Sequence, residues 1–195
     1  MRGKTIIETV LVFALTTFSA CRGRTVEAAH ENQSAITHAD QNFMMKAAQS
    51  DSAEIGMARM ALEKSADNDV KDYAHMIDMD HKTELDDLKD LMIQDNVQLS
   101  KGLPSEIQTD IDRMNSLTGS EFDREFINMM VADHQKVLET FNDEESNTQN
   151  EDLKKYIENT QPILEMHLDK ARQLQAKLFS KPNRPQNRTE KTPIS

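Results

Sequence analysis

Glutamate and histidine are the residue types in this sequence with the clearest capacity for chemistry, and four of them fall at interior positions of helical stripes. Traced in alternating steps of three and four, one segment gives Phe43, Ala47, Ser50, Glu54, Ala58 and Ala61, and a second gives Val70, Ala74, Ile77, His81, Leu85, Leu88 and Met92. A third gives Phe122, Phe126, Met130, His134, Val137 and Phe141; a fourth gives Leu153, Ile157, Thr160, Leu164, His167, Ala171, Leu174 and Leu178. Residues three and four apart share one face of an α-helix, so Glu54, His81, His134 and His167 each project from an apolar stripe toward an interior. Imidazole nitrogen and carboxylate oxygen together suit zinc, iron or manganese at about 2 Å. The quartet is therefore a candidate site for one divalent transition-metal ion. A network of hydrogen bonds between Glu54 and the histidines accounts for the same residues without an ion, because buried polar groups need partners in either case.

Acids close to the quartet in sequence are candidates to accept the second ring N–H of each histidine and so fix its tautomer. These are Asp78 and Asp80 near His81, Asp133 beside His134, and Glu165 near His167. Asp78 and His81 stand three apart, yet the duplicated Glu-x-x-His of di-iron bundles is absent, which argues against a two-iron oxidase. The 12 methionines are scattered over several segments rather than strung as soft ligands, so they read as core filler and not as a copper site. His75 lies off the inner stripe, and His30 and His38 belong to a polar leader region. There is no nucleophile with a matched base, no phosphate loop and no nucleotide fingerprint, so no catalytic residue is assigned and a non-enzymatic role is favoured.

Positioning such a quartet requires long helices. The hydrophobic period stays close to 3.6 between the polar ends of the chain, predicting helices over about 40 to 66, 69 to 94, 120 to 145 and 150 to 179. Breaks fall at Asp67-Asn68, Gly102-Leu103-Pro104, Gly119-Ser120 and the polar stretch Asn142 to Asn150. A short amphipathic helix carrying Ile107, Ile111 and Met114 bridges the second and third long helices, and the third can run either way relative to the second. Glu54 and His81 are nearly equidistant from the Asp67-Asn68 turn and should face one another in an antiparallel pair. His167 lies farther from its turn than His134 does, by about six residues, or roughly 9 Å of helix rise. Pro162, which costs a backbone hydrogen bond inside a helix, sits just before it.

The rest of the chain speaks to location. Arg2 and Lys4, the mainly apolar run from Ile6 to Thr17, and Phe18-Ser19-Ala20-Cys21 read in order as a lipoprotein signal over residues 1–20, with Cys21 as the lipidated residue. A single cysteine forms no internal disulfide. Residues 21–37 read as a flexible tether, 38–179 as one helical domain, and 180–195, with Pro182, Pro185 and Pro193, as a disordered tail. The expected location is the cell envelope, exported and lipid-anchored on the periplasmic face of the outer membrane. A net charge of -11 excludes nonspecific attraction to nucleic acid.

The ordered motifs Asp40-Gln41-Asn42-Phe43, Ala53-Glu54, Asp80-His81, Phe122-Asp123, His134 and Gln161-Pro162-Ile163-Leu164 with His167 resemble the domain-of-unknown-function 4142 family over about residues 38 to 175. Gln161 stands where leucine is expected before Pro162. The resemblance implies an exported bacterial protein, often labelled a putative outer membrane protein, with a ferritin-like four-helix fold. It implies no reaction. Three functions follow from the residues: an envelope module for metal binding or stress, a structural or adaptor protein that binds another envelope component, and a metal-dependent oxidoreductase. The first and last require the inward quartet; the adaptor does not.

Overall fold

The structure, a computed structural model, describes residues 35–180. Among the described residues there are five α-helices and no strand: α1 (His38–Lys64), α2 (Asn68–Gln94), α3 (Ser105–Asn115), α4 (Gly119–Asn147) and α5 (Glu151–Ser180). The leader over 1–20, the lipidation site Cys21, nearly all of the tether and the tail beyond Ser180 lie outside the described residues.

Local chemistry sets the helix boundaries. Thr37 and Asp40 form a reciprocal capping box, with Thr37 Oγ1 accepting from the Asp40 amide at 3.1 Å and Asp40 Oδ2 accepting from the Thr37 amide at 2.6 Å. Asp67 caps α2 by accepting from the Asp69 amide at 3.0 Å, and Asn150 accepts from the Leu153 amide at 2.9 Å at the start of α5. Gly119 adopts φ +59° where the chain turns from α3 into α4, a backbone region costly for other residues. Pro162 lies inside α5 on an exposed face, so the carbonyl it leaves unpaired one turn earlier can meet water.

The four long helices pack as two hairpins, α1 on α2 and α4 on α5, joined along α2–α5 and α1–α4. One apolar cluster gathers Ala58 and Ala61 of α1, Val70 and Ile77 of α2, Phe122, Phe126 and Met130 of α4, and Ala171 and Leu178 of α5. A second gathers Phe43 and Met44, Leu88 and Met92, Phe141, and Leu153 and Ile157. The first cluster unites the early halves of α2 and α4 with the late halves of α1 and α5. Hence α2 and α4 run the same way, and the segment 95–118 must return along the bundle to connect them. That segment is tied down by Gln49 Nε2 donating to Ser100 Oγ at 2.6 Å and by the Lys64 ammonium donating to the Asn115 carbonyl. Between the two apolar clusters the core is interrupted by a polar level. No described helix is long and apolar enough to cross a membrane.

Candidate metal centre

The polar level is where the four stripe residues meet. Glu54, His81, His134 and His167 are each at most 2% exposed. Glu54 Oε2 lies 3.2 Å from His81 Nε2 and 3.6 Å from His134 Nε2, and His134 Nε2 lies 3.3 Å from His167 Nδ1. The three rings are mutually 5.2–5.5 Å apart between centroids. The depth offset anticipated for His167 is reduced because α4 continues to Asn147, which moves the turn toward α5.

Each histidine has one ring nitrogen committed to an acceptor outside the quartet. His81 Nδ1 meets Asp51 Oδ1 at 2.9 Å, His134 Nδ1 meets the Met130 carbonyl at 2.9 Å, and His167 Nε2 meets Asp80 Oδ2 at 2.9 Å. An imidazole that donates through one nitrogen presents a lone pair on the other. In that state His81 Nε2 and His134 Nε2 turn lone pairs toward the Glu54 carboxylate, and His167 Nδ1 turns its own toward His134 Nε2. Neither Glu54 Oε2 nor His81 Nε2 has a hydrogen-bond partner, and two inward lone pairs at 3.3 Å repel unless a proton or cation lies between them. The three separations of 3.2–3.6 Å, Glu54 to His81, Glu54 to His134 and His134 to His167, are close to the roughly 3.3 Å between neighbouring donors of an ion bound at about 2 Å, and one ring nitrogen from each of the three histidines lies within 4.8 Å of the others.

The electrostatics are uneven around the ring of donors. Burial lowers the His81 pKa, but Glu54, Asp51 and Glu84 more than reverse this and raise it to about 10. Burial dominates at His134, which is lowered, and at His167, which falls to about 4 with the other two histidines adding to the effect. Burial raises the Glu54 carboxyl, yet the facing imidazoles of His134, His81 and His167 hold it below the usual carboxylate range. Burial lifts Glu84 to about 8, and it also raises Asp51.

Of the four acids expected to orient the histidines, Asp80 does touch one, but it is His167 across the bundle on α5 rather than His81 on its own helix. Asp78 instead pairs with Arg59 Nε at 2.9 Å and with the Lys82 ammonium, which draws it to the flank of α2. Glu165 is exposed on the outer face of α5. Asp133 does not hold His134, whose Nδ1 is satisfied by the backbone one turn earlier. It lines a cavity of about 370 Å³ between α1, α4 and the crossover, together with Glu54, Met57 and Ile107, and burial raises its carboxyl to about 6. Asp51 and Glu84 are the residues that sequence reasoning missed. Their signal was present, since Asp51-x-x-Glu54 and His81-x-x-Glu84 place both pairs on facing stripes. His75 and His38 are exposed, and Met44, Met57, Met114 and Met130 are packed into the apolar clusters.

Comparison with solved structures places this arrangement among helical bundles. A crystal structure of a DUF305 fragment from Deinococcus radiodurans superposes with a TM-score of 0.67 at 11% identity, covering 74% of this chain and 99% of that one. CopM in its Cu(II)-bound form superposes with a TM-score of 0.59 at 23% identity, covering 71% of this chain and 96% of that one. At these identities the likeness concerns the fold. No curated protein gives a significant sequence match. The family model for a domain of unknown function, DUF4142, matches residues 25–174, which include all four quartet residues as well as Asp51 and Glu84. The chain belongs to the DUF4142 family.

Proposed function

We propose that this protein binds a divalent transition-metal ion in the core of a ferritin-like four-helix bundle, through Glu54 Oε2, His81 Nε2, His134 Nε2 and His167 Nδ1. The connectivity supports the ferritin-like description, because one long crossover between two parallel helices is the mark of that bundle class. One observation carries the metal reading: three buried histidines whose outer nitrogens are engaged elsewhere bring their remaining nitrogens together within 4.8 Å, two of them beside the buried Glu54 carboxylate. Three nitrogens and one oxygen suit zinc, an ion with no geometric preference of its own. The fold likeness to CopM, whose structure carries Cu(II), makes copper the competitor to test. Cu(II) prefers a flatter donor set than this one.

With all four protein donors bound to it the ion would have no open position, which favours a carrier or a structural metal site over a hydrolase or oxidoreductase. The cavity that reaches Glu54 offers an ion a route in and out. We place the protein in the cell envelope, tethered through a lipidated Cys21, on the strength of the signal read in residues 1–21. An adaptor role for its outer faces would survive loss of the ion.

The deciding experiment is elemental analysis of full-length protein purified without a metal-affinity tag, beside His81→Ala and His134→Ala variants. Wild type should retain at least one equivalent of metal, with His134→Ala holding one equivalent less and His81→Ala none. Equal metal content in all three proteins would overturn the reading. Location is tested by Cys21→Ala, which should move the protein from the membrane fraction to the soluble one; continued membrane retention would refute the lipid anchor.

A further inference from the structure

Among the described residues, Glu84 has both side-chain oxygens buried without a hydrogen-bond partner. It is 4% exposed and faces α1 from α2. Asp51 Oδ2 is likewise buried without a partner. Both acids lie against the outer nitrogen of His81, with Nδ1 at 2.9 Å from Asp51 Oδ1 and 3.6 Å from Glu84 Oε2. One donor atom from each of Asp51, His81 and Glu84 lies within 4.8 Å of the others. The spacing is that of cation ligands, as at the quartet. The local cause is a pair of i, i+3 relationships: α1 presents Asp51 and Glu54 one turn apart, and α2 presents His81 and Glu84 one turn apart, on facing stripes.

Charge gives a second argument. Asp51, Glu54 and Glu84 are all buried, and no lysine or arginine is buried among the described residues. One divalent ion in the quartet, with neutral histidines, balances two of these three carboxylates, and the third must then keep a proton or meet a further cation. Uncompensated charge inside a core is strongly disfavoured. Two divalent ions balance three carboxylates and one imidazolate.

We propose that Asp51, His81 Nδ1 and Glu84 form a second divalent-cation site, and that the His81 ring bridges it to the quartet as an imidazolate. The proposal rests on the quartet being a metal site and extends it to a two-ion centre. Its ligand set is unrelated to duplicated Glu-x-x-His di-iron sites. When the second ion enters, Nδ1 exchanges its N–H bond for a bond to metal, and the proton formerly donated to Asp51 leaves to solvent, with any proton on Glu84. No electron is transferred.

The test uses full-length, untagged protein stripped with a chelator, reloaded with excess Zn(II) and desalted before elemental analysis. Wild type should hold two equivalents, Glu84→Gln and Asp51→Asn one each, and His134→Ala one, with helix content by circular dichroism unchanged. Two variants at the second site guard against the failure of either to fold. Copper-loaded wild type should show fewer electron-paramagnetic spins than copper atoms, because two Cu(II) ions joined by an imidazolate couple magnetically, and Glu84→Gln should restore one spin for each copper. A single equivalent in wild type that Glu84→Gln retains would remove the second site and leave the quartet standing. No metal in wild type would remove both, and two equivalents in both wild type and Glu84→Gln would refute the assignment of Glu84.

Discussion

The two hairpins bring unequal chemistry to one level of the bundle. α1 and α2 contribute Asp51, Glu54 and Glu84 with a single histidine, whereas α4 and α5 contribute His134 and His167 and no fully buried carboxylate at that level. The same residue type therefore behaves in opposite ways. His81, among three acids, is raised to about 10, while His167, held by one partly exposed acid, is lowered to about 4. Burial is common to all three histidines, so the sign of each shift is decided by what the neighbouring helix supplies. One half of this level attracts a positive charge of any kind; the other half offers neutral nitrogen, which under the proposed function would favour a transition metal.

The largest effect expected from this asymmetry is in metal-free protein. His81→Ala should cost about 3–5 kcal/mol, because it strands buried carboxylates without their counter-charge, whereas His134→Ala should cost about 1–3 kcal/mol as a lost neutral hydrogen-bonding group. Urea unfolding of the two variants measures the difference, and equal costs would erase the distinction between the hairpins.

The next effect is on pH dependence. His81 has a folded pKa of about 10 against an ordinary 6.5, so its contribution is complete below pH 6.5 and is lost as pH rises toward 10. Glu84, raised to about 8, acts in the same direction. From His81 alone, metal-free wild type should lose about 2–3 kcal/mol over the two pH units above 6.5, and Glu84 adds to that loss. His134→Ala should keep that loss and His81→Ala should show less of it. His167 works the other way, its contribution present above pH 6.5 and lost as pH falls toward 4. A stability profile flat from pH 6.5 to 8.5 would contradict the assignment of charge to His81.

The smallest effect sharpens the neutral half. Asp80→Asn leaves a partner for His167 but removes its charge, and it should weaken metal affinity about 10–100-fold with little change in metal-free stability. Competition with a chromophoric chelator reads the affinity. An unchanged value would mean that Asp80 does not orient the ligand.

Much of this centre could be read from residue spacing, for a definite physical reason. Apolar residues recur at three and four along all the long helices, so the inward direction of Glu54, His81, His134 and His167 follows from their neighbours on each stripe. Thr37, Asp67 and Asn150 mark the starts of α1, α2 and α5 by ordinary capping chemistry. What spacing could not resolve was the choice between symmetric alternatives. Asp78 and Glu84 flank His81 three residues to either side, and it is Asp78 that pairs with Arg59 and Lys82 at the flank of α2 while Glu84 stays beside His81. Asp80 found its partner on a helix 87 residues away, a pairing that no local pattern encodes. The direction of α4 was open for the same reason, since a connection as long as 95–118 can either turn back at once or travel the length of the bundle.

That travelling connection also governs when the centre can exist. Neither hairpin holds all four quartet donors, and the two are linked covalently only through the crossover, so those four first meet when the hairpins dock. A chain made only as far as α2 brings together Asp51, His81 and Glu84 but not the quartet. Under the proposed function, the identity of the metal held by the quartet would accordingly be set by the medium in which the final docking step takes place, and not by the one in which translation begins.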